Sequence, residues 1–492
     1  MPRQSLKRRD FVKKAGLLSL PLGLGLYACQ DNKGSAIETD IAIIGAGLSG
    51  LNAALTLQSF GYKSTIIEAT DRVGGRVFTA KEKDVPGHPE LGANGIGGGY
   101  GRLISAATKY GVDIGPMRPR TEPRKGELLY ALYDELITPD KWIDHPKNPF
   151  HVEWAKKMSP TSVPWKIYSE LNPLPENDLK AWRDPKFSDW DKSISSALLE
   201  KGFSPEAIKL SVGTNSSYGI SADDMSILMY FQILTFINQQ SAAKTGRGGA
   251  AVGGNQRIPE AMANAFTGDI RQSSPVKSID STDTQVNITL DNDQVVKAKY
   301  VIVTLPAYAL RRIKISPTLP VAQQKGIDNL GYTPCTQIHY VPTQKYWEKD
   351  GLPPSMWSDK LCGRFMALKN DLSDPDKVTS CVAYTNTTVA LKLSKMEESE
   401  AIEVVTKELA TIRPSTKNAL KPVYYWKWSN NPYAGGAYAY WKPGQITKYA
   451  PLMANVHKRI HFAGEHTAES FRGMEGAMES GERAASEVMK LI

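Results

Sequence analysis

The six residues Gly45-Ala46-Gly47-Leu48-Ser49-Gly50 put three glycines at i, i+2 and i+5, and an acid, Glu68, stands 23 positions beyond the first of them. Residues without side chains let a backbone approach a pyrophosphate, a helix N-terminus offers unpaired N–H groups to negative charge, and a carboxylate so placed accepts hydrogen bonds from a ribose. The chemistry in view is the holding of a dinucleotide; the plain alternative is a glycine-rich turn without one. Glu68-Ala69-Thr70-Asp71-Arg72-Val73-Gly74-Gly75-Arg76 continues from the acid into a basic double-glycine turn, which brings Arg72 towards phosphates and bare backbone towards a ring. At the other end of the chain, Phe471-Arg472-Gly473-Met474-Glu475-Gly476-Ala477 opens a helix-like segment in which Gly473, Gly476 and Gly481 each cost about 1 kcal/mol relative to alanine. Something must come close to that backbone. The seven histidines include no pair at helical ligand spacing with an acid between, so a catalytic metal is not expected.

These groups need elements to position them. Asp40-Ile41-Ala42-Ile43-Ile44 is the short apolar run of a buried parallel strand, Leu48, Leu51, Ala54 and Leu55 give a helical stripe closed by Gly61, and residues 64–68 read as a second strand. This βαβ unit has its glycine turn at the helix N-terminus. Residues 116–243 change to Trp, Pro and amphipathic stretches; β patterns return at 275–279, 286–290 and 299–304, with a turn at Asp291-Asn292-Asp293. Residues 321–454 add Tyr- and Trp-rich strands and one clear helix over 397–411, before an Ile-His-Phe-Ala-Gly strand and a terminal helix. The expectation is an α/β protein of two interleaved domains: a Rossmann-type nucleotide domain from 40–115, 244–320 and 455–492, and an α+β substrate domain from 116–243 and 321–454.

At 492 residues two domains are natural. The formal charge of +9 is concentrated at the start, where residues 1–28 hold six Lys/Arg and one Asp. No basic stripe interleaved with aromatics remains, which argues against nucleic acid. Arg8-Arg9-Asp10-Phe11-Val12-Lys13 before the apolar stretch 15–28 resembles a twin-arginine signal, and the stretch is too short and weakly apolar for a comfortable membrane span. Leu26-Tyr27-Ala28-Cys29 resembles a lipobox, with Tyr27 departing from the usual small residue; residues 29–39 then read as a linker. The expectation is export to the periplasm or another extracytoplasmic location, with membrane attachment through a lipidated Cys29. Cys335, Cys362 and Cys381 make neither a metal pattern nor a full disulfide framework.

The run from Glu68 to Arg76 resembles the FAD fingerprint of the flavin monoamine oxidase family, which includes polyamine oxidases and L-amino acid oxidases. Leu91 to Gly99, with Asn94 and Gly95, matches the family's next glycine segment; Gly253 to Pro259, Val276 in an adenine-binding strand, Thr304-Leu305-Pro306, and Phe462-Ala463-Gly464-Glu465-His466-Thr467 match in turn. The resemblance implies non-covalent FAD, because Ala437 stands where some members carry the attaching cysteine. It implies that Gly45, Gly47, Gly50, Glu68, Arg72, Gly75, Arg76, Asn94, Gly95, Val276, Gly464, Glu465, Gly473, Met474 and Glu475 hold that cofactor, with Glu465 near the ribityl or phosphate region and the backbone at Met474 on the flavin's pyrimidine edge.

The activity so implied is oxidation of a C–N bond in an amine or L-amino acid by hydride transfer to flavin N5, the imine then being hydrolysed to an aldehyde or keto acid. The protein's share is orientation and electrostatics. Tyr438 aligns with one of two aromatics that flank the reacting amine; the second is missing beside Gly473, which leaves the cage half open. Gln337 stands where many members place a lysine that assists reaction with oxygen, so a dehydrogenase passing electrons to a quinone or redox protein is expected more than an oxidase. Arg472 could receive a substrate carboxylate, lie near the flavin phosphates, or be surface. A C–C desaturase of the same fold and a non-catalytic flavin-binding partner of a redox complex are the competing readings.

Overall fold

A computed structural model describes residues 37–115, 128–242 and 248–492. Strand β1 (Ile37–Ile44) buries all four of Ile41, Ala42, Ile43 and Ile44, because parallel neighbours flank it and both faces are covered. It leads into helix α1 (Leu48–Ser59) and back to strand β2 (Ser64–Ile67), also fully buried. The sheet they seed has eight strands, in the order 314–316, 276–281, 286–290, 295–303, β1, β2 and 269–271, with 460–462 paired to 295–303. β1 begins three residues before the sequence suggests, and 286–290 and 295–303 form the antiparallel hairpin expected around Asp291-Asn292-Asp293, where Asp293 adopts φ 63°.

The second sheet has seven strands, in the order 420–427, 335–342, 380–386, 364–368, 355–358, 128–132 and 135–137. Along 335–342 the side chains alternate. Ile338 and Tyr340 join a core with Phe365, Cys381, Val405 and Leu409, the last two from helix Glu398–Ile412, while Cys335 and Gln337 turn to the opposite face and line a cavity. Cys335, Cys362 and Cys381 are buried and no disulfide joins them. No helix among the described residues is long and apolar enough to cross a membrane.

The C-terminal helix (Gly473–Met489) lies along α1, and the two meet at backbone distance. A Cβ added to Gly481 would stand 2.1 Å from the Ser49 carbonyl oxygen, and one added to Gly50 would stand 1.9 Å from that of Gly45. Ser49 Oγ and Ser480 Oγ are 3.2 Å apart, and Asn52 donates to the Met478 carbonyl at 2.8 Å. Gly481 is therefore a packing glycine, as is Gly50, the third glycine of the turn. Replacing Gly481 by alanine is expected to cost about 2 kcal/mol in urea denaturation; Gly101→Ala, whose added carbon would meet nothing within 4 Å, should stay within about 0.5 kcal/mol.

Candidate active site

Both helices aim their N-termini at one cleft. Gly47, Leu48 and Ser49 of the first and Gly473, Met474 and Ala477 of the second line it, and it holds about 1270 Å³ of space free of protein atoms, part of it open to solvent. Gly47 caps α1 in extended conformation with no side chain satisfying the first-turn N–H groups, and a Cβ there would meet nothing within 4 Å. Gly45, at φ 106°, makes the sharp exit from β1 that an L side chain would strain. Buried Glu68 lines the cleft as well, its carboxylate accepting from the Ala46 N–H at 2.7 Å and from the Thr70 N–H and hydroxyl. A cleft with helix N–H groups that no side chain caps and a carboxylate at the turn fits a dinucleotide.

A second carboxylate lines the same cleft. Glu465 Oε1 accepts from Arg76 Nη1 at 3.0 Å and from the Ala439 N–H at 3.1 Å. Burial alone would raise its pKa, but Arg76 and then Arg472 outweigh that and hold the carboxyl below its ordinary range. The neighbouring His466 is pushed down to about 4 by burial, so it is neutral near pH 7. Arg76 also donates to the Ala437 carbonyl at 3.0 Å, tying the double-glycine turn to the segment that carries Tyr438.

Of the residues singled out from sequence, Gly45, Gly47, Glu68, Arg72, Gly75, Arg76, Gln337, Tyr438, Gly464, Glu465, Gly473 and Met474 come together around the cleft. Arg72 among these, and several residues beyond them, have structural employment. Arg72 spends its donors on the carbonyls of Val73, Gly75 and Val77 and stacks over Phe78 at 4.2 Å, so it builds the turn. Asn94 and Gly95 stand just beyond the lining residues Leu91, Gly92 and Ala93, and the Asn94 carbonyl is held by Asn255. Val276 opens its strand outside the lining. Glu475 is buried and turned away: its two oxygens accept from the N–H groups of Arg102 and Leu103, capping helix α2 (Gly101–Lys109) from a distant segment. Of the three glycines near the C-terminus, only Gly473, at φ 57°, borders the cleft; a Cβ on Gly476 would meet the Phe471 carbonyl at 2.8 Å.

The aromatic surroundings of Tyr438 are fuller than the sequence suggests. Tyr218 lies 5.2 Å from Tyr438 between ring centroids, tilted by 44°, and the Tyr100 hydroxyl stands 3.7 Å from where a Gly473 side chain would begin. Tyr218 comes from a loop before helix Ile227–Ala242 and had no local signal; Tyr100, an aromatic inside a glycine run, offered one. Asn255 was matched as a motif residue, and its role is a staple. It accepts from the Ala251 N–H, donates to the Ala93 and Asn94 carbonyls, and gives its own N–H to Glu90 at 2.7 Å.

A mixed sheet whose parallel core carries the glycine turn, with a second helix N-terminus on the same cleft, is the frame of a dinucleotide-binding protein. The chain belongs to the flavin containing amine oxidoreductase family, whose profile matches residues 48–489. It is 28% identical over 469 residues to a flavin-containing amine oxidase of Danio rerio, covering 92% of this chain and 85% of that one, and 25% identical over 475 residues to amine oxidase B of Homo sapiens, covering 92% and 86%. Putrescine oxidase bound to putrescine superposes with a TM-score of 0.70 at 23% identity, and cyclohexylamine oxidase from Brevibacterium oxydans with 0.73 at 20%; each likeness covers 92% of this chain and 99% of the other. The protein is thus an FAD-dependent enzyme oxidising amines, and amine substrates with oxygen as acceptor fit its family.

Arg76→Met would strand Glu465 without its ion partner and is expected to cost about 3 kcal/mol at pH 7. A carboxyl whose folded pKa is depressed contributes stability above its ordinary pKa and loses it as pH falls through the folded value. The penalty should therefore shrink on acidification below the ordinary carboxylate range, as urea denaturation at about pH 7 and about pH 3 would show.

Proposed function

We propose that this enzyme removes a hydride from the carbon bearing an amine or amino-acid nitrogen held beside Tyr438, leaving an imine that water hydrolyses to an aldehyde or keto acid and ammonia. Bound FAD supplies the two-electron acceptor. The observation that carries the reading is the lining at the Tyr438 end of the cleft. It includes Cys335, Gln337, Tyr384, Trp428, Asn431 and Tyr433, and the one carboxylate beside Tyr438, Glu465, is taken up by Arg76 and the Ala439 N–H. Such walls orient a substrate and exclude water, and they favour the neutral amine that can give up a hydride. The face of Tyr438 attracts the polarised nitrogen.

The acceptor is proposed to be a quinone or redox protein in preference to oxygen. Gln337 is fully buried. Its amide donates to the Leu91 carbonyl at 2.6 Å, which also accepts from Trp428 Nε1 at 2.7 Å, and its oxygen lies 3.1 Å from His339 Nε2. It contributes a fixed strut and no positive charge to stabilise superoxide. FAD is held without a covalent bond, in keeping with Ala437 on the cleft wall. Anaerobic mixing with amines and L-amino acids should bleach the flavin, and subsequent reoxidation in air-saturated buffer should be slower than that bleaching. Reoxidation faster than bleaching would identify an oxidase.

Export and lipid attachment rest on Arg8, Arg9 and Cys29, which lie outside the described residues. Replacing both arginines by lysine should leave the protein inside the cytoplasm on fractionation, and Cys29→Ala should move it from the membrane pellet to the soluble extracytoplasmic fraction.

A further inference from the structure

We infer that Thr333 is a positioning residue for the reaction: it clamps the loop bearing Tyr218 to the segment bearing Tyr438, and through Tyr218 it sets the plane of the Tyr438 ring; this rests on the amine-oxidising reading above. Thr333 is fully buried. It follows the short strand Gly331–Tyr332, which pairs antiparallel with Ala439–Tyr440. The Thr333 N–H donates to the Tyr438 carbonyl and the Thr333 carbonyl accepts from the Ala437 N–H, both at 2.9 Å. Its hydroxyl oxygen accepts from the Gly219 N–H, also at 2.9 Å. One residue thus joins two stretches of chain that are far apart in sequence, and it grips the loop at the residue directly after Tyr218.

The fit is close on both sides. A Cβ on Gly436 would stand 2.6 Å from the Thr333 carbonyl oxygen, which accounts for a glycine two residues before Tyr438. Gly219 turns at φ 70°, with Met225 packed where a side chain would begin. The loop is also held at its start, where Asn215 donates to the Ser358 carbonyl at 2.6 Å and Arg364 donates to the Asn215 carbonyl. Between these holds the Tyr218 ring meets Tyr230 edge-on at 5.8 Å and leans on Tyr438 at 5.2 Å. Arg472 belongs to the same packing: it stacks over Tyr218 at 5.6 Å, donates to the Ala439 carbonyl at 3.1 Å and is not on the cleft wall. Tyr438 lines the cleft and Tyr218 does not, so the loop acts on a substrate through the ring it props. Small errors in the orientation of a group beside the reacting atoms cost rate.

Thr333→Val keeps the shape of the side chain and both backbone bonds, and leaves the buried Gly219 N–H without its acceptor. The FAD-loaded enzyme is mixed anaerobically with whichever amine or amino acid bleaches the wild-type flavin. In Thr333→Val the limiting rate of reduction should fall about tenfold while the apparent Kd changes less than about threefold; Thr333→Ser, which keeps the hydroxyl, should recover most of the rate. Tyr218→Leu should lose rate to a similar extent, and the double variant should be no slower than Tyr218→Leu alone. Hydrogen exchange at the Gly219 amide, read without any amine, should be faster in Thr333→Val than in Thr333→Ser. Thr333→Cys, whose sulfur is a weaker acceptor, carries the same comparisons should the valine variant not fold. An undiminished rate, or losses that multiply in the double variant, overturns the inference and leaves Thr333 to the fold. If no amine or amino acid reduces the wild-type flavin, the amine-oxidising reading fails, and the exchange at Gly219 decides the clamp by itself: equal exchange in the valine and serine variants overturns it.

Discussion

Everything in this protein hangs on the backbone contact between α1 and the C-terminal helix. Helices with ordinary side chains at their crossing stay about 8–10 Å apart; here Gly481 faces the Ser49 carbonyl with no room for even one carbon. The contact sets two helix N-termini side by side on one cleft. One would offer its unpaired N–H groups to the pyrophosphate of a bound FAD, and the other would direct positive potential at the flavin. The serine pair at Ser49 and Ser480 continues the junction, and Ser480 also accepts the Gly464 N–H, so the loop bearing Glu465 takes its position from the same crossing.

Around that frame, ionic groups divide by task. Glu68 settles the first glycine turn, Glu465 joins the double-glycine turn to the strand that starts just after Tyr438, Glu475 caps a neighbouring helix, and Glu479 steadies the loop before Arg472. Each carboxylate answers specific N–H groups or an arginine. Around Tyr438 the charged lining residues Arg76 and Glu465 are paired with each other, and the remaining walls are uncharged. The division separates the part of the site that grips from the part where the bond is broken.

Much of the frame was legible in the sequence, because β1, α1 and β2 are local: a buried apolar run, a glycine turn and a helical stripe lie within thirty residues. The hairpin turn at 291–293 and the helix at 398–412 follow from equally local patterns. What sequence could not assign was the use of individual groups within a correct motif. Arg72 and Glu475 sit inside cofactor-like segments, yet one serves its own turn and the other a helix hundreds of residues away. Gly476 and Gly481 looked like clearance for a ring and are clearance for protein backbone. Tyr218 entered from a loop with no periodicity, and only tertiary packing brings it to Tyr438.

The Ser49 to Ser480 junction spans 431 positions of chain, and this has a consequence for biosynthesis. The nucleotide turn at 45–50 emerges early from the ribosome, but its second wall at 464–477 does not exist until almost all of the described chain has been made. Closing so long a loop is slow relative to local structure and leaves strands exposed meanwhile. The cofactor can then be enclosed only after translation, so its capture becomes the closing act of folding rather than a template for it.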